Sequence, residues 1–251
     1  MRLPDPASVR TLLLDAGGVL VRPNFARVAE ALRARGVRVE AAALAAAEPL
    51  AKKELDRPPS PGFSTDAERG WHYFNLVLSR AGIARSAATD AALVELKAWH
   101  DQHCLWEDVA EGVRPSLELF RAKGLRLAVV SNSNGTLHHL FDRLGLLASF
   151  DVVLDSAVEG VEKPDPRLFW RALDRIGADA ETALHVGDIY NVDVVGARSA
   201  RIRPVLVDEA GLYPDADCPR VRSLADLACH LAAPPPQEAG AGISAKIRPP
   251  R

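Results

Sequence analysis

Short apolar runs alternate with helix-like patterns through most of the chain. The apolar runs that have the length of buried strands are 11–14, 125–131, 151–156, 183–188 and 203–208. Amphipathic segments lie between the later runs, and three of these segments end at a glycine, namely Gly124, Gly145 and Gly177. Strands that alternate with helices predict an α/β fold, with a Rossmann-like parallel sheet covered by helices on both faces.

A long helical block follows the first apolar run. Its helical patterns cover 25–32, 40–55, 71–80 and 91–105. A proline-rich loop, 57–65, interrupts them. Because the first run has the same composition as the later strands, we expect it to belong to the same sheet. The helical block is therefore an insertion after the first strand.

These patterns predict three parts. Residues 1–21 and 109–232 form a discontinuous Rossmann-like core, and residues 22–108 form an all-helical inserted domain. The last segment, 233–251, is rich in Pro, Gly and Ala, and we expect it to be a mobile tail.

The overall composition narrows the class of protein. The chain has 251 residues, 48% of them hydrophobic, and a net charge of −2. No basic excess suggests a nucleic-acid or membrane partner, no apolar stretch is long enough to span a bilayer, and the N-terminus lacks a secretory pattern. Three widely spaced cysteines, Cys104, Cys218 and Cys229, suggest reduced thiols. We expect a cytoplasmic protein, and the sequence does not indicate an oligomeric state.

Polar residues end three of the predicted strands, at Asp15, at Ser131-Asn132 and at Asp188. Ligands bind at the carboxyl ends of the strands in such sheets. Asp15 could attack phosphorus or could form a turn. The Ser131 hydroxyl and the following N–H groups could bind phosphoryl oxygens or form a plain capped turn.

Two further polar positions fit the same chemistry. Lys163 could neutralise a phosphate or a nucleophilic carboxylate, or it could be a solvated surface lysine. Asp188 and Asp193 could bind Mg²⁺, which prefers oxygen ligands, or they could cap the helix that follows.

Together, four segments resemble the haloacid dehalogenase (HAD) superfamily, in the order the family has them. They are LLLDAGGVL, LAVVSNSNG, GVEKPDPRLF and LHVGDIYNVDVVGA. The resemblance implies a Mg²⁺-dependent hydrolase that acts on a small phosphorylated substrate. It also implies that the helical insertion is a C1-type cap and that residues 18–24 form a mobile flap.

The resemblance also implies roles for individual residues. Asp15 would be the nucleophile, and Lys163 would balance charge around it. The phosphoryl group would be bound by Ser131, Asn132 and Gly18. The Mg²⁺ ligands would be Asp15, the Gly17 carbonyl, Asp188 and Asp193, the last directly or through water.

Gly17 departs from the family pattern. Phosphatases of the family usually have a second aspartate at this position, which protonates the leaving oxygen and later activates water. A glycine can do neither, and general acid–base help contributes about 10²–10⁴-fold in rate. A slow or specialised phosphatase is the reading we favour. The alternatives are dehalogenase or phosphonatase-like chemistry, a non-catalytic binding protein, and a phosphotransferase.

The helical insertion could supply the missing proton. Its candidates are Glu68, His72 and Tyr73. Lys52 and Lys53 could serve phosphonatase-like chemistry, but adjacent lysines on an alanine-rich helix favour a solvated face, and we expect them to be exposed.

Overall fold

The computed structural model describes residues 1–56 and 66–233. Within them, a six-stranded parallel sheet has the order β5-β4-β1-β6-β7-β8. Its strands are β1 (Thr11–Leu14), β4 (Arg126–Ser131), β5 (Val152–Asp155), β6 (Ala183–Gly187), β7 (Arg203–Val207) and β8 (Arg220–Val221). The predicted α/β fold is confirmed.

Helices cover both faces of this sheet. They are α5 (Val113–Ala122), α6 (Leu137–Arg143), α7 (Ser156–Glu159), α8 (Pro166–Ile176), α9 (Val195–Ser199) and α10 (Leu224–Ala232). Successive side chains of a strand point to opposite faces. Accordingly, Leu12 and Leu14 pack in one apolar core with Phe120, whereas Leu13 packs in another with Phe169.

The helical insertion consists of α1 (Phe25–Arg33), α2 (Ala41–Leu55), α3 (Asp66–Arg80) and α4 (Ala87–His103). These helices have an apolar cluster of their own, with Leu32, Leu44 and Phe74 at most 1% exposed. Helix α4 begins at Ala87, before the predicted start at residue 91, because Ser86 and Thr89 form a capping box.

The ends of residues 22–108 are not helical, contrary to the prediction. Strand β2 (Val21–Arg22) pairs antiparallel with β3 (Asp108–Val109), so that Val21 lies opposite Val109 and Arg22 opposite Asp108. The two strands pair because the chain leaves the sheet and returns to it side by side. The predicted loop 57–65 and residues 234–251 of the predicted tail lie outside the described residues. Among the described helices, none has the length and apolar character needed to cross a membrane.

Candidate active site

The central strand β1 places Asp15 at the carboxyl edge of the sheet. The Asp15 N–H donates to the carbonyl of Val186, in the neighbouring strand β6, at 2.9 Å. Strand β6 leads directly into Asp188, and β4, on the other side of β1, ends at Ser131. The parallel order thus brings the three predicted strand ends to one edge.

Three aspartates form a buried cluster at this edge. One carboxylate oxygen from each of Asp15, Asp188 and Asp193 lies within 4.8 Å of the other two. The three residues are 8%, 6% and 1% exposed, respectively. Like charges this close raise one another's pKa unless a cation is present, so the cluster requires positive charge.

Lys163 supplies one positive charge. Its side chain is 1% exposed, and its Nζ lies 2.9 Å from Asp15 Oδ1 and 2.7 Å from Asp193 Oδ1. The Asn132 side chain fixes the lysine backbone, because its Oδ1 accepts from the Lys163 N–H at 2.7 Å and its Nδ2 donates to the Lys163 carbonyl at 3.0 Å. This role of the Asn132 side chain was not predicted from the sequence.

Asp193 is the most fully hydrogen-bonded member of the cluster. His185 Nε2 lies 2.9 Å from its Oδ1, and Oδ2 accepts from the N–H groups of Asp188 and Ile189. Burial raises the pKa of Asp193, but the Lys163 ammonium and the His185 contact outweigh it and keep the pKa low. His185 was missed in the sequence, although a histidine inside the apolar run ALHVGD is a signal.

The electrostatics of Asp15 differ from those of Asp193. Burial raises the pKa of Asp15 to about 7, with Lys163 opposing the rise and the other two aspartates adding to it. Its Oδ1 also accepts from the Ala16 N–H at 2.7 Å. Both contacts fall on Oδ1, so Oδ2 is the oxygen left to face a ligand.

Glycine is required at two positions where the backbone lies very close to an aspartate side chain of the cluster. A Cβ at Gly18, where φ is +74°, would lie 1.9 Å from Asp188 Oδ2. A Cβ at Gly187 would lie 2.1 Å from the Asp193 carboxyl carbon. Gly17 is different, because a Cβ there would meet only the Trp106 ring, at 3.5 Å. A Cβ at residue 17 would therefore make only an ordinary van der Waals contact.

The last residue of β5 fixes the conformation of the loop that follows β4. Asp155, the last residue of β5, accepts from the N–H groups of Gly135 and Leu137, at 3.0 and 3.2 Å. Ser131 is 3% exposed, and its hydroxyl lies 3.4 Å from the Asn132 carbonyl. The buried Asp155 carboxylate thus holds this loop at the edge of the sheet, a role that was not predicted from the sequence.

Lys52 reaches the cluster from the helical insertion. Its Nζ lies 2.8 Å from Asp188 Oδ2 and 3.6 Å from Glu48 Oε1, which accepts from the Tyr73 hydroxyl at 2.8 Å. Its side chain is 19% exposed. The predicted solvated lysine face is therefore wrong for Lys52. The Lys53 ammonium lies 3.6 Å from the Tyr213 ring centroid, so Lys53 also has a partner.

The protonation states around Lys52 are set by its neighbours. Burial lowers its pKa, but the carboxylates of Asp188 and Glu48 more than compensate, so the amine stays charged. Burial, together with Glu48, raises the pKa of Tyr73, so its hydroxyl stays protonated. Tyr73 is a hydrogen-bond donor to Glu48 rather than a group poised to release a proton.

The donor set fits a divalent cation. Buried carboxylate oxygens from Asp15, Asp188 and Asp193 converge, and Mg²⁺ prefers such oxygen ligands. Both Asp193 oxygens already accept from protein donors, whereas, among the described residues, protein donors contact Asp15 through Oδ1 and Asp188 through Oδ2. Each of the latter two carboxylates keeps a second oxygen for a metal. Asp15 and Asp188 are thus the carboxylates with oxygens best placed to bind a metal.

The family model of the haloacid dehalogenase-like hydrolases matches residues 9–201, which include the whole cluster. A relative from Bos taurus, haloacid dehalogenase-like hydrolase domain-containing protein 3, is 32% identical over 206 residues, 79% of this chain and 82% of the relative. A glyceraldehyde 3-phosphate phosphatase from Methanopyrus kandleri is 31% identical over 172 residues, 64% of this chain and 72% of the relative.

A solved structure shares the architecture. YfnB of Bacillus subtilis, described as a HAD-hydrolase bound to magnesium that reveals interdomain movement, superposes with a TM-score of 0.65. The match covers 90% of this chain and 99% of YfnB at 21% identity. At that identity the likeness extends to the fold alone.

Proposed function

This chain belongs to the haloacid dehalogenase-like hydrolases, and from that membership we propose that it is a Mg²⁺-dependent phosphatase of small phosphorylated metabolites. One observation supports the proposal above all others. The buried Asp15 ends the central strand with Lys163 on one oxygen, beside two further aspartates suited to a divalent cation. The phosphatase among its relatives points to the same chemistry.

In the proposed reaction Asp15 is the nucleophile. Its Oδ2 attacks phosphorus, a P–O bond to the carboxylate forms, and the bond to the leaving oxygen breaks with its electron pair. Water then hydrolyses the aspartyl-phosphate and restores the carboxylate. Lys163 contacts Oδ1, so it orients the carboxylate and limits its protonation while Oδ2 reacts.

The metal would be bound by Asp15, Asp188 and the Gly17 carbonyl, with Asp193 supporting the site through Lys163 and the backbone. Bound there, Mg²⁺ would supply charge to neutralise the phosphoryl oxygens. Gly18 contributes the space that Asp188 needs, because any side chain at this position would collide with that carboxylate.

The phosphoryl group would be bound by Ser131 and Asn132, at the end of β4. The Ser131 hydroxyl and the Asn132 N–H are the proposed donors, and Asp155 holds the loop that follows. Asn132 would then have two tasks, since its side chain already fixes the backbone of Lys163.

The helical insertion, residues 22–108, is proposed to be a C1-type cap that covers the site. The contact between Lys52 and Asp188 supports this, because it joins α2 to the aspartate cluster. We also propose that the enzyme works in the cytoplasm, where its three unpaired cysteines would stay reduced.

The test measures phosphate release from a panel of small phosphate esters, one of which has an activated aryl leaving group. The wild type is compared with Asp15→Asn, with and without Mg²⁺, and with Asp174→Asn on the exposed side of α8 as a control for charge. We expect release that requires both Mg²⁺ and Asp15. The activated ester should react fastest, because its leaving group needs no proton.

If the wild type releases no more phosphate from any ester than Asp15→Asn does, the proposed phosphatase activity is wrong. The same proteins would then be assayed for halide release from 2-haloacids and for cleavage of a phosphonate. Release in either assay would favour the corresponding chemistry. An aspartyl-phosphate that forms and transfers only to an added acceptor would indicate a phosphotransferase, and binding without any turnover would indicate a binding protein.

A further inference from the structure

Lys52 is held in the site by two carboxylates, and the proposed mechanism gives this lysine no role. Its ammonium is in contact with Asp188 Oδ2 and lies 3.6 Å from Glu48. Glu48 is 7% exposed and is itself held by the Tyr73 hydroxyl. Two helices of the insertion, α2 and α3, therefore supply the residues that aim this ammonium at an aspartate of the cluster.

Lys163, which is buried, and Lys52, which is 19% exposed, contact different carboxylates of the site. Lys163 contacts Asp15 and Asp193, whereas Lys52 contacts Asp188 and Glu48. Asp188 is thus neutralised by a residue of the insertion rather than by the core. A carboxylate oxygen 2.8 Å from an ammonium is a poor ligand for a dication, because the two cations repel each other.

We infer that Lys52 and a divalent cation exclude each other at Asp188, and that the displaced ammonium then binds the phosphoryl oxygens of the substrate. Glu48 keeps the displaced Lys52 near the site, since it lies one helical turn away on α2 and contacts the same ammonium. The second half of this inference rests on the proposed function, because it requires a phosphorylated ligand. The first half concerns the metal alone.

Lys53 provides a matched control. It is the next residue on α2 and has the same charge, but its ammonium stacks on the Tyr213 ring. Lys53→Met therefore removes one positive charge from the same helix without removing a contact to Asp188. Lys52→Gln serves as a second variant, because it keeps a polar side chain should Lys52→Met fail to fold.

The first measurement is Mg²⁺ binding by titration calorimetry, in the absence of any phosphate. We expect Lys52→Met and Lys52→Gln to bind Mg²⁺ about ten-fold more tightly than the wild type, since each removes a competing charge-assisted hydrogen bond. Lys53→Met should bind as the wild type does. Unchanged or weaker Mg²⁺ binding by the Lys52 variants would overturn the inference, as would the absence of Mg²⁺ binding from all of these proteins.

The second measurement is binding of inorganic phosphate at saturating Mg²⁺. We expect Lys52→Met to weaken phosphate binding about ten-fold, with Lys53→Met again unchanged. Equal phosphate affinity in Lys52→Met and wild type would overturn the assignment of Lys52 to the phosphoryl group. Both readouts are independent of turnover, so opposite shifts in Mg²⁺ and phosphate affinity would support the inference even if no ester were hydrolysed.

Discussion

Lys163 is a buried cation between two buried carboxylates, and its removal tests how the core of the site is stabilised. Lys163→Met would leave Asp15 and Asp193 without the ammonium they share at 2.9 and 2.7 Å. Breaking such a pair costs about 3–5 kcal/mol, because an uncompensated buried charge remains. We expect a loss of that size in the free energy of unfolding, measured by urea denaturation at neutral pH, together with loss of activity.

Lys97→Met is the control for Lys163→Met. Lys97 pairs with Asp101 at 2.9 Å, but both side chains are 51% exposed. Exposed pairs contribute about 0–1 kcal/mol, so this variant should unfold almost as the wild type does. Equal destabilisation by the two substitutions would contradict the role given to Lys163.

Gly17 stands where phosphatases of the family usually have an aspartate, and this aspartate can be introduced by mutation. The backbone there lies outside the left-handed region, and an added Cβ would make only van der Waals contact with Trp106. We expect Gly17→Asp to raise the rate on alkyl phosphates by about 10²–10⁴-fold, because a general acid then protonates the leaving oxygen. The rate on an activated aryl ester should change far less.

Gly17→Asn separates acid catalysis from simple filling of space. It has the size of the aspartate without its proton chemistry, so alkyl esters should gain nothing. Steady-state rates for the alkyl and aryl esters measure the difference. If Gly17→Asp and Gly17→Asn behaved alike, the slow step would not be limited by leaving-group protonation.

At the scale of single residues, the sequence indicated those positions that end apolar strands. Asp15, Ser131 and Asp188 stand out because strand ends in a parallel sheet share an edge. The pattern around Lys52 favours a solvated face, and this lysine becomes part of the site only through packing of α2 against the distant Asp188. His185 contacts Asp193, only eight residues later in the chain, but its polar side chain lies within an apolar strand and was overlooked. The direction in which a helix presents a lysine cannot be deduced from an alanine-rich segment.

At the scale of elements, α2 is joined to the core through its last turn. Asp56, directly after this helix, is 7% exposed and accepts from the N–H groups of Tyr190 and Asn191 and from the Tyr213 hydroxyl. We expect Asp56→Ala to lower the free energy of unfolding by about 1–3 kcal/mol, because buried donors lose their acceptor. Asp56→Ala should also reduce the effect of Lys52 on Mg²⁺ affinity, because Asp56 holds the end of α2 that carries Lys52.

Tyr213→Phe is the graded comparison for Asp56→Ala. It removes one of the three hydrogen bonds to the Asp56 carboxylate and leaves the two backbone donors paired, so about 0.5–1.5 kcal/mol should be lost. Thermal or urea unfolding of the two variants measures both values. A larger loss in Tyr213→Phe than in Asp56→Ala would contradict the role of Asp56 as the shared acceptor.

Element boundaries were predictable where local chemistry sets them. Helix α8 ends at Gly177 as the sequence predicts, because this residue takes up a left-handed conformation, with φ of 63°. For the segment that contains β2 the sequence allowed a small hairpin or a loop, and strands β3 and β8 were not predicted. Each of these strands has two residues and depends on its partner, β2 and β3 on each other and β8 on β7. Periodicity cannot detect a strand of that length.

At the scale of the whole molecule, the helical insertion and the sheet have separate apolar clusters. Phe74 is 1% exposed in the first and Phe169 is fully buried in the second. We expect Phe74→Ala to cost about 3–5 kcal/mol locally. Hydrogen exchange should then quicken in α1–α4 while β1, β4 and β6 stay protected.

Phe169→Ala should produce the opposite pattern. The sheet strands should lose protection, because Phe169 packs with Leu13 of the central strand. Uniform acceleration of exchange in both variants would show that the two clusters unfold as one cooperative unit, contrary to this prediction.

The two-residue ladder between β2 and β3 has an evolutionary consequence. Antiparallel partners lie about 4.5–5.5 Å apart at their Cα atoms, so Arg22 and Asp108 are as close as the two ends of a hairpin. Any module whose termini lie that close could replace residues 23–107 while strands β2 and β3 keep their pairing. Such an exchange would replace Lys52 and leave the three clustered aspartates in place, because Asp15, Asp188 and Asp193 all lie outside residues 23–107.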